Sequence, residues 1–253
     1  MLGQPAMERS PLKIIFFSDT HISRRSDDRI VLFLRFIADH CADADMIFIL
    51  GDLFEFYHGY DDYIYPWFNP VAGALKDLAA RGKIIYFLEG NHEFSMGKYF
   101  GDHTGVKCAR ELTIEIDGKK VYAAHGDGLS RFSLARFLKR PLFYGLMDRL
   151  GPAATWNIAM LMHPLLSRRR KGHSEAVRGA FRAFAQTKFS EGYDVVLLAH
   201  SHIPDVFETN DGAAEKIYLN TGDLITSESF VFYETSSGFS LRTFSRADKQ
   251  TNL

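Results

Sequence analysis

Apolar residues along the chain come in short runs that stop abruptly at small polar clusters. Residues 13–18, 46–50 and 83–88 are three such runs, and each reads as a buried strand feeding a loop. Between them, Ile30, Phe33, Leu34 and Ile37 recur at helical spacing, and so do Val71, Leu75 and Leu78. Strand, loop and helix in repetition predict a largely parallel inner sheet. Asp117-Gly118 separates the runs 112–116 and 119–124, the signature of a tight hairpin. From about residue 128 to 189 the chain turns helical, apolar and basic by turns. Residues 194–199 are another buried-strand pattern, followed by short β runs at 206–208, 216–220, 230–233 and 239–244. No internal repeat or low-complexity linker interrupts the chain. The pattern predicts one α/β domain over residues 1–253, with 129–189 as a basic amphipathic helical insertion.

Composition narrows the class. With 253 residues and 46% hydrophobic positions, the chain has enough apolar mass for one large core. A net charge of −1 gives the whole chain no nucleic-acid signature. The only cysteines, Cys41 and Cys108, lie far apart and lack ligand spacing, so they read as packing residues in a reducing compartment. The start of the chain lacks a signal core, and no run reaches the roughly 18 apolar residues of a membrane span. These features lead to the expectation of a cytoplasmic protein, soluble or peripheral at the membrane.

The polar clusters that end the apolar runs carry the chemistry. They are Asp19-Thr20-His21, Gly51-Asp52, Gly90-Asn91-His92-Glu93, His125-Gly126-Asp127 and His200-Ser201-His202. Each alone is a common turn, helix start or surface pair. In open α/β sheets, however, ligands gather where strands end at their carboxyl side, and all five clusters follow a strand pattern. On an extended segment Asp19 and His21 share a face and can bind one ion together. Asp52 has two oxygens and can bridge two cations. Asn91 offers an amide oxygen, and His125, His200 and His202 offer imidazole nitrogens. A donor set of oxygen and nitrogen without thiolate favours Mn²⁺, with Fe or Zn²⁺ as alternatives, over a structural zinc site or Ca²⁺. His92 follows a donor without being needed as one, which makes it the candidate catalytic residue. Glu93 is placed to orient it or to cap a helix.

Taken together, these segments resemble the calcineurin-like metallophosphoesterase superfamily over nearly the whole chain. The resemblance implies a four-layer α/β/β/α sandwich with two divalent metal ions at the strand ends. It assigns Asp19, His21, Asp52 and His202 to one ion, and Asp52, Asn91, His125 and His200 to the other. The chain departs from the family pattern in Ala199 and Ser201, where glycine and threonine are usual, but both replacements are small.

Two segments narrow the resemblance further. The run Gly51-Asp52-Leu53-Phe54-Glu55, followed by an aromatic and acidic turn, is similar to the UDP-2,3-diacylglucosamine pyrophosphatases of lipid A synthesis. So is Asn220-Thr221-Gly222-Asp223-Leu224, with Leu224 where that family has tryptophan. The best-known branch has arginine at the position of His92; this chain resembles the branch that keeps histidine. Between residues 129 and 189 stand twelve Lys or Arg against two acidic residues, while the rest of the chain is acidic. Interleaved with Phe132, Leu142, Leu146 and Trp156, this charge suits an anionic membrane surface or a lid over acyl chains. By charge, Arg131, Arg168 and Lys171 are the candidate substrate contacts. The expected substrate is therefore a nucleotide-linked lipid, cleaved to lipid X and UMP, with no nucleic-acid partner and no oligomeric state specified. Two alternatives stand beside it: a phosphodiesterase or phosphatase for another phosphoester, and a non-catalytic scaffold on the same fold, as in the retromer subunit.

Overall fold

A computed structural model describes residues 11–129, 139–166, 174–210 and 215–245. The first half builds a six-stranded sheet. Strands β1 (Lys13–Phe17), β2 (Met46–Ile49) and β4 (Ile84–Leu88) run parallel, and β6 (Lys107–Ala109) extends the parallel set. Two late strands, β12 (Ser229–Glu234) and β13 (Gly238–Thr243), close its other edge in antiparallel register. The predicted hairpin is β7 (Glu111–Ile116) with β8 (Lys119–Ala124). Its Asp117 and Gly118 have φ of 47° and 78°, the left-handed pair that such a two-residue turn requires. The hairpin joins β9 (Val195–Leu198), β11 (Glu215–Asn220) and β10 (Asp205–Asn210) in a second sheet, where β8, β9 and β11 are parallel.

The two sheets face each other across a purely apolar layer. Ile14, Phe16, Phe48 and Leu88 from the first meet Val121, Ala123, Leu197 and Leu219 from the second. Phe48 stacks between Phe16 and Tyr86, with ring centroids 4.7 and 4.9 Å away. On the outer face of the first sheet lie α1 (Asp27–Phe36), α2 (Asn69–Ala80) and α3 (Tyr99–Thr104), over a core of Phe17, Phe33, Phe36, Leu75 and Phe87. On the outer face of the second lies α5 (Ser174–Ser190), whose Phe181, Ala185 and Phe189 recur every fourth residue and pack on Tyr122, Val196 and Leu198. The result is an α/β/β/α sandwich. The parallel strands β8 and β9 bring the segments that begin with His125 and His200 to the same end of the second sheet, at one rim of the sandwich.

A further helix, α4 (Pro141–Leu166), lies beside that rim. It breaks at Gly151, whose φ of 75° and ψ of 169° turn the chain between two helical arms. A short parallel ladder of β3 (Tyr57–His58) and β5 (Glu93–Ser95) carries the docking surface for both arms. The Tyr60 hydroxyl donates to the Met147 carbonyl at 3.1 Å, the Tyr65 hydroxyl to the Pro152 carbonyl at 3.2 Å, and His58 pairs with Asp148 at 2.8 Å. Trp156 fills the gap between Phe56, Tyr65, Trp67 and Phe68. Replacing Trp156 with alanine is expected to destabilise the fold by about 3–5 kcal/mol, the usual cost of emptying a buried aromatic site. Urea denaturation measures it; a change below about 1 kcal/mol would mean that α4 is held mainly by its polar contacts.

Candidate active site

Every cluster singled out in the sequence arrives at the same rim. The backbone brings them together first. Asp19 N donates to the Gly51 carbonyl at 3.1 Å, and His21 N to the Asp52 carbonyl at 3.0 Å, zipping the loops after β1 and β2. Gly51 sits at φ 92°, and a Cβ there would stand 2.6 Å from Gly90 Cα. Gly90 in turn has its α-carbon against the Asp52 carboxylate, so neither position accepts a side chain without moving the loops.

Asp19 and His21 do not share a face by lying on an extended segment. Both adopt left-handed backbone, with φ of 53° and 49°. Asp52, His200 and His202 do the same, at 51°, 64° and 56°. Five of the seven candidate donors thus hold a conformation that non-glycine residues avoid. Such clustering of backbone strain is typical of functional sites.

The side chains form two adjoining groups. In one, His202 Nε2 is 3.2 Å from Asp19 Oδ1, and His21 Nε2 is 3.3 Å from His202 Nε2. The two imidazole rings stack, 5.1 Å apart and 8° from parallel. In the other, His125 Nε2 lies 3.2 Å from Asp52 Oδ2, 3.2 Å from Asn91 Oδ1 and 3.1 Å from His200 Nδ1. Asp52 Oδ2 joins the groups, since it is also 4.0 Å from His21 Nε2.

Neighbouring groups fix which atoms face inward. The Leu50 carbonyl accepts from His125 Nδ1 at 2.7 Å, which leaves Nε2 for the site. Asp223 Oδ2 stands 3.6 Å from His202 Nδ1, and that carboxylate is itself anchored by Ile225 N at 2.8 Å. Asp19 Oδ2 accepts from Ser18 Oγ and His200 N, while its Oδ1 is buried and has no hydrogen-bond partner. An orphaned carboxylate oxygen, and two imidazole nitrogens facing each other at 3.3 Å, both call for a cation between them. The donor set therefore fits divalent metal ions.

The electrostatics agree. Burial alone would raise the Asp19 carboxyl, but His202 and His21 outweigh it and lower it to about 2. Burial acts the same way on Asp52, and His125 and His92 hold it well below the usual carboxylate range. Burial opposes charge on His125, yet Asp52 beside it lifts it to about 10. His200, buried next to His125, falls to about 4. Two ionised carboxylates thus draw positive charge into the pocket, and one imidazole supplies it as a proton.

His92 stands just outside both groups. Its Nδ1 donates to the Glu55 carbonyl at 2.6 Å, so Nε2 points inward, 3.9 Å from Asp52 Oδ2. Glu93 does not orient it. The Glu93 carboxylate is fully buried and accepts from Gly90 N and Asp52 N at 2.8 Å and from Phe54 N at 3.1 Å, tying the two ligand loops together. Sequence reasoning missed this role and that of Asp223. It also passed over Lys139, whose ammonium donates to the Gly90 carbonyl and brings one charge of the basic segment to the loop that carries Asn91. Arg131, Arg168 and Lys171 lie outside the described residues.

A model of the calcineurin-like phosphoesterase family matches residues 12–204 of the chain, which takes in all five clusters. The chain belongs to the calcineurin-like phosphoesterase family. This phosphoesterase is a metal-dependent phosphoester hydrolase, which sets aside the non-catalytic alternative. It is 31% identical over 196 residues to a UDP-2,3-diacylglucosamine hydrolase of Actinobacillus succinogenes, covering 75% of this chain and 83% of that protein. A protein of the same name from Ectopseudomonas mendocina is 29% identical over 219 residues, covering 83% and 90%. One from Vibrio atlanticus is 26% identical over 233 residues, covering 89% and 95%. Among the described residues of this phosphoesterase, no helix is long and apolar enough to cross a membrane.

Proposed function

We propose that the chain hydrolyses the diphosphate of UDP-2,3-diacylglucosamine, using two Mn²⁺ ions. Asp19, His21, Asp52 and His202 would hold one ion; Asp52, Asn91, His125 and His200 would hold the other. The observation that carries the hydrolytic reading is Asp52 Oδ2, which lies within 4.0 Å of a donor nitrogen in each group. Two divalent cations bound there would supply Lewis acidity, activating a water as nucleophile and offsetting charge on the phosphoryl oxygens. Water oxygen joins one phosphorus, the bridging P–O bond breaks, and UMP and lipid X depart. His92 Nε2–H donates to the phosphoryl or leaving oxygen as negative charge grows on it. Lys139 adds a fixed cation beside Asn91. The substrate is supported by the relatives, which carry that activity in their names over most of their length.

In this reading the chain is a single domain. Of the segment 129–189, α5 completes the sandwich and α4 serves as the lipid-facing lid. Leu142, Leu146 and Leu150 recur every fourth residue on the first arm of α4, and Ile158 and Leu161 follow on the second; all five are exposed, Leu142 and Leu161 by 79% each. Exposed leucines at helical spacing next to a basic segment suit acyl chains and an anionic membrane surface.

The test is release of UMP from UDP-2,3-diacylglucosamine in detergent with added Mn²⁺. Rapid, chelator-sensitive release is expected. No release, with a bis-aryl phosphodiester still hydrolysed, would keep the chemistry and remove the substrate. Changing Leu142, Leu146 and Leu161 together to serine should leave the aryl ester rate unchanged and weaken binding to anionic vesicles, read by sedimentation, by more than about 100-fold, since each exposed leucine contributes about 1.5–3 kcal/mol when fully buried. Undiminished sedimentation would sink the membrane role of α4.

A further inference from the structure

The run Gly51-Asp52-Leu53-Phe54-Glu55 ends in a carboxylate to which the hydrolytic reading gives no task. Glu55 is fixed between the two loops that matter most. Its backbone N donates to the Ile22 carbonyl at 2.8 Å, and its own carbonyl accepts from His92 Nδ1 at 2.6 Å. Its side chain turns inward and is only 17% exposed. Oε2 lies 3.8 Å from His21 Nδ1 and 3.8 Å from Arg29 Nη1, and Oε1 lies 3.8 Å from His92 Nδ1. Arg29, in the first turn of α1, also donates to the His21 carbonyl at 2.6 Å. The guanidinium thus clamps the His21 backbone and faces the Glu55 carboxylate at once.

His21 Nδ1 is buried and has no hydrogen-bond partner. An imidazole that offers Nε2 to a metal carries its proton on Nδ1, and that proton needs an acceptor. The Glu55 carboxylate lies within about 1 Å of hydrogen-bonding range, a small side-chain adjustment. His21, Glu55 and His92 are also close enough together to hold an ion of their own. The Arg29 guanidinium already supplies the cation there, and His92 Nδ1 is committed to the Glu55 carbonyl, so a third ion has no role.

We propose that Glu55, braced by Arg29, is a positioning residue: its carboxylate accepts the His21 Nδ1 proton, aims Nε2 at Asp19 and Asp52, and sets the affinity of that group for its ion. Because the same residue holds His92 through its carbonyl, it ties one metal ligand to the catalytic histidine. This inference rests on the reading of His21 as a ligand.

Calorimetric titration of Mn²⁺ into metal-stripped protein tests it, alongside the melting temperature of the metal-free form. Wild type is expected to take up two ions. Glu55→Ala should bind one of them about 10–100-fold more weakly, the usual effect of removing a partner behind a metal-bound histidine, with the metal-free melting temperature unchanged. Glu55→Gln, which keeps the shape and a neutral acceptor, should fall in between, and it decides the matter if the alanine variant does not fold. Wild type that takes up no ion would overturn the ligand reading and this inference together. Two ions in wild type, with affinity unchanged in the folded Glu55 variant, would overturn this inference alone. A lower melting temperature with unchanged affinity would leave Glu55 a purely structural residue and likewise overturn it.

Discussion

Asp52→Ala is expected to abolish turnover, with a loss of about 10³-fold or more in kcat/KM, equivalent to about 4 kcal/mol of transition-state stabilisation. One oxygen of this carboxylate faces both donor groups, so its removal takes a ligand from each at once. Its other oxygen accepts from His92 N at 2.9 Å, so the loop bearing His92 loosens as well. The fold should survive. The Asp52 amide stays bonded to Glu93, and its carbonyl stays bonded to His21 N, whatever the side chain is. The measurements are UMP release and metal content per chain. A variant that keeps two ions and turns over within tenfold of wild type would show that Asp52 does not bridge.

His92→Ala should differ in kind. Turnover is expected to fall about 10²–10⁴-fold, the range for loss of a general acid, while both ions stay bound. The imidazole makes no claim on the metal groups: its Nδ1 is held by the Glu55 carbonyl, and its Nε2 is 3.9 Å from the nearest Asp52 oxygen. Burial works against its charged form, but Asp52 and Glu55 outweigh burial and raise its pKa above the ordinary histidine value. An acid with a raised pKa keeps its proton to higher pH than an ordinary imidazole and loses it as pH climbs past that value. The wild-type rate should therefore carry an alkaline limb that is missing from the variant. Loss of metal along with activity would make His92 a ligand instead.

Much of this site was legible in the sequence because each donor ends an apolar run, and buried strands are the least ambiguous elements to read. The runs at 13–18, 46–50, 83–88, 119–124 and 194–199 became β1, β2, β4, β8 and β9 within a residue or so at each end. The donors' convergence followed from strand direction alone. What escaped was short or long-range. The ladder of β3 and β5 has two and three residues, too few to show a period. Glu93 reads like a helix cap because nothing local reveals that Gly90, Asp52 and Phe54 turn their amides toward it. Phe181, Ala185 and Phe189 do recur every fourth residue, yet the charge count over 129–189 drew α5 into the lid, when its apolar face is the fourth layer of the sandwich. Asp19 and His21 were expected to meet on an extended segment, whereas a left-handed turn brings them together.

That left-handed geometry has a consequence for anyone seeking a sturdier protein. Glycine would relax each of the five strained positions, by about 1–2 kcal/mol apiece, and would delete a donor every time. A selection for heat resistance alone would therefore enrich inert proteins, with substitutions gathered at Asp19, His21, Asp52, His200 and His202. Thermal hardening has to begin elsewhere in the sandwich, with activity scored in every round.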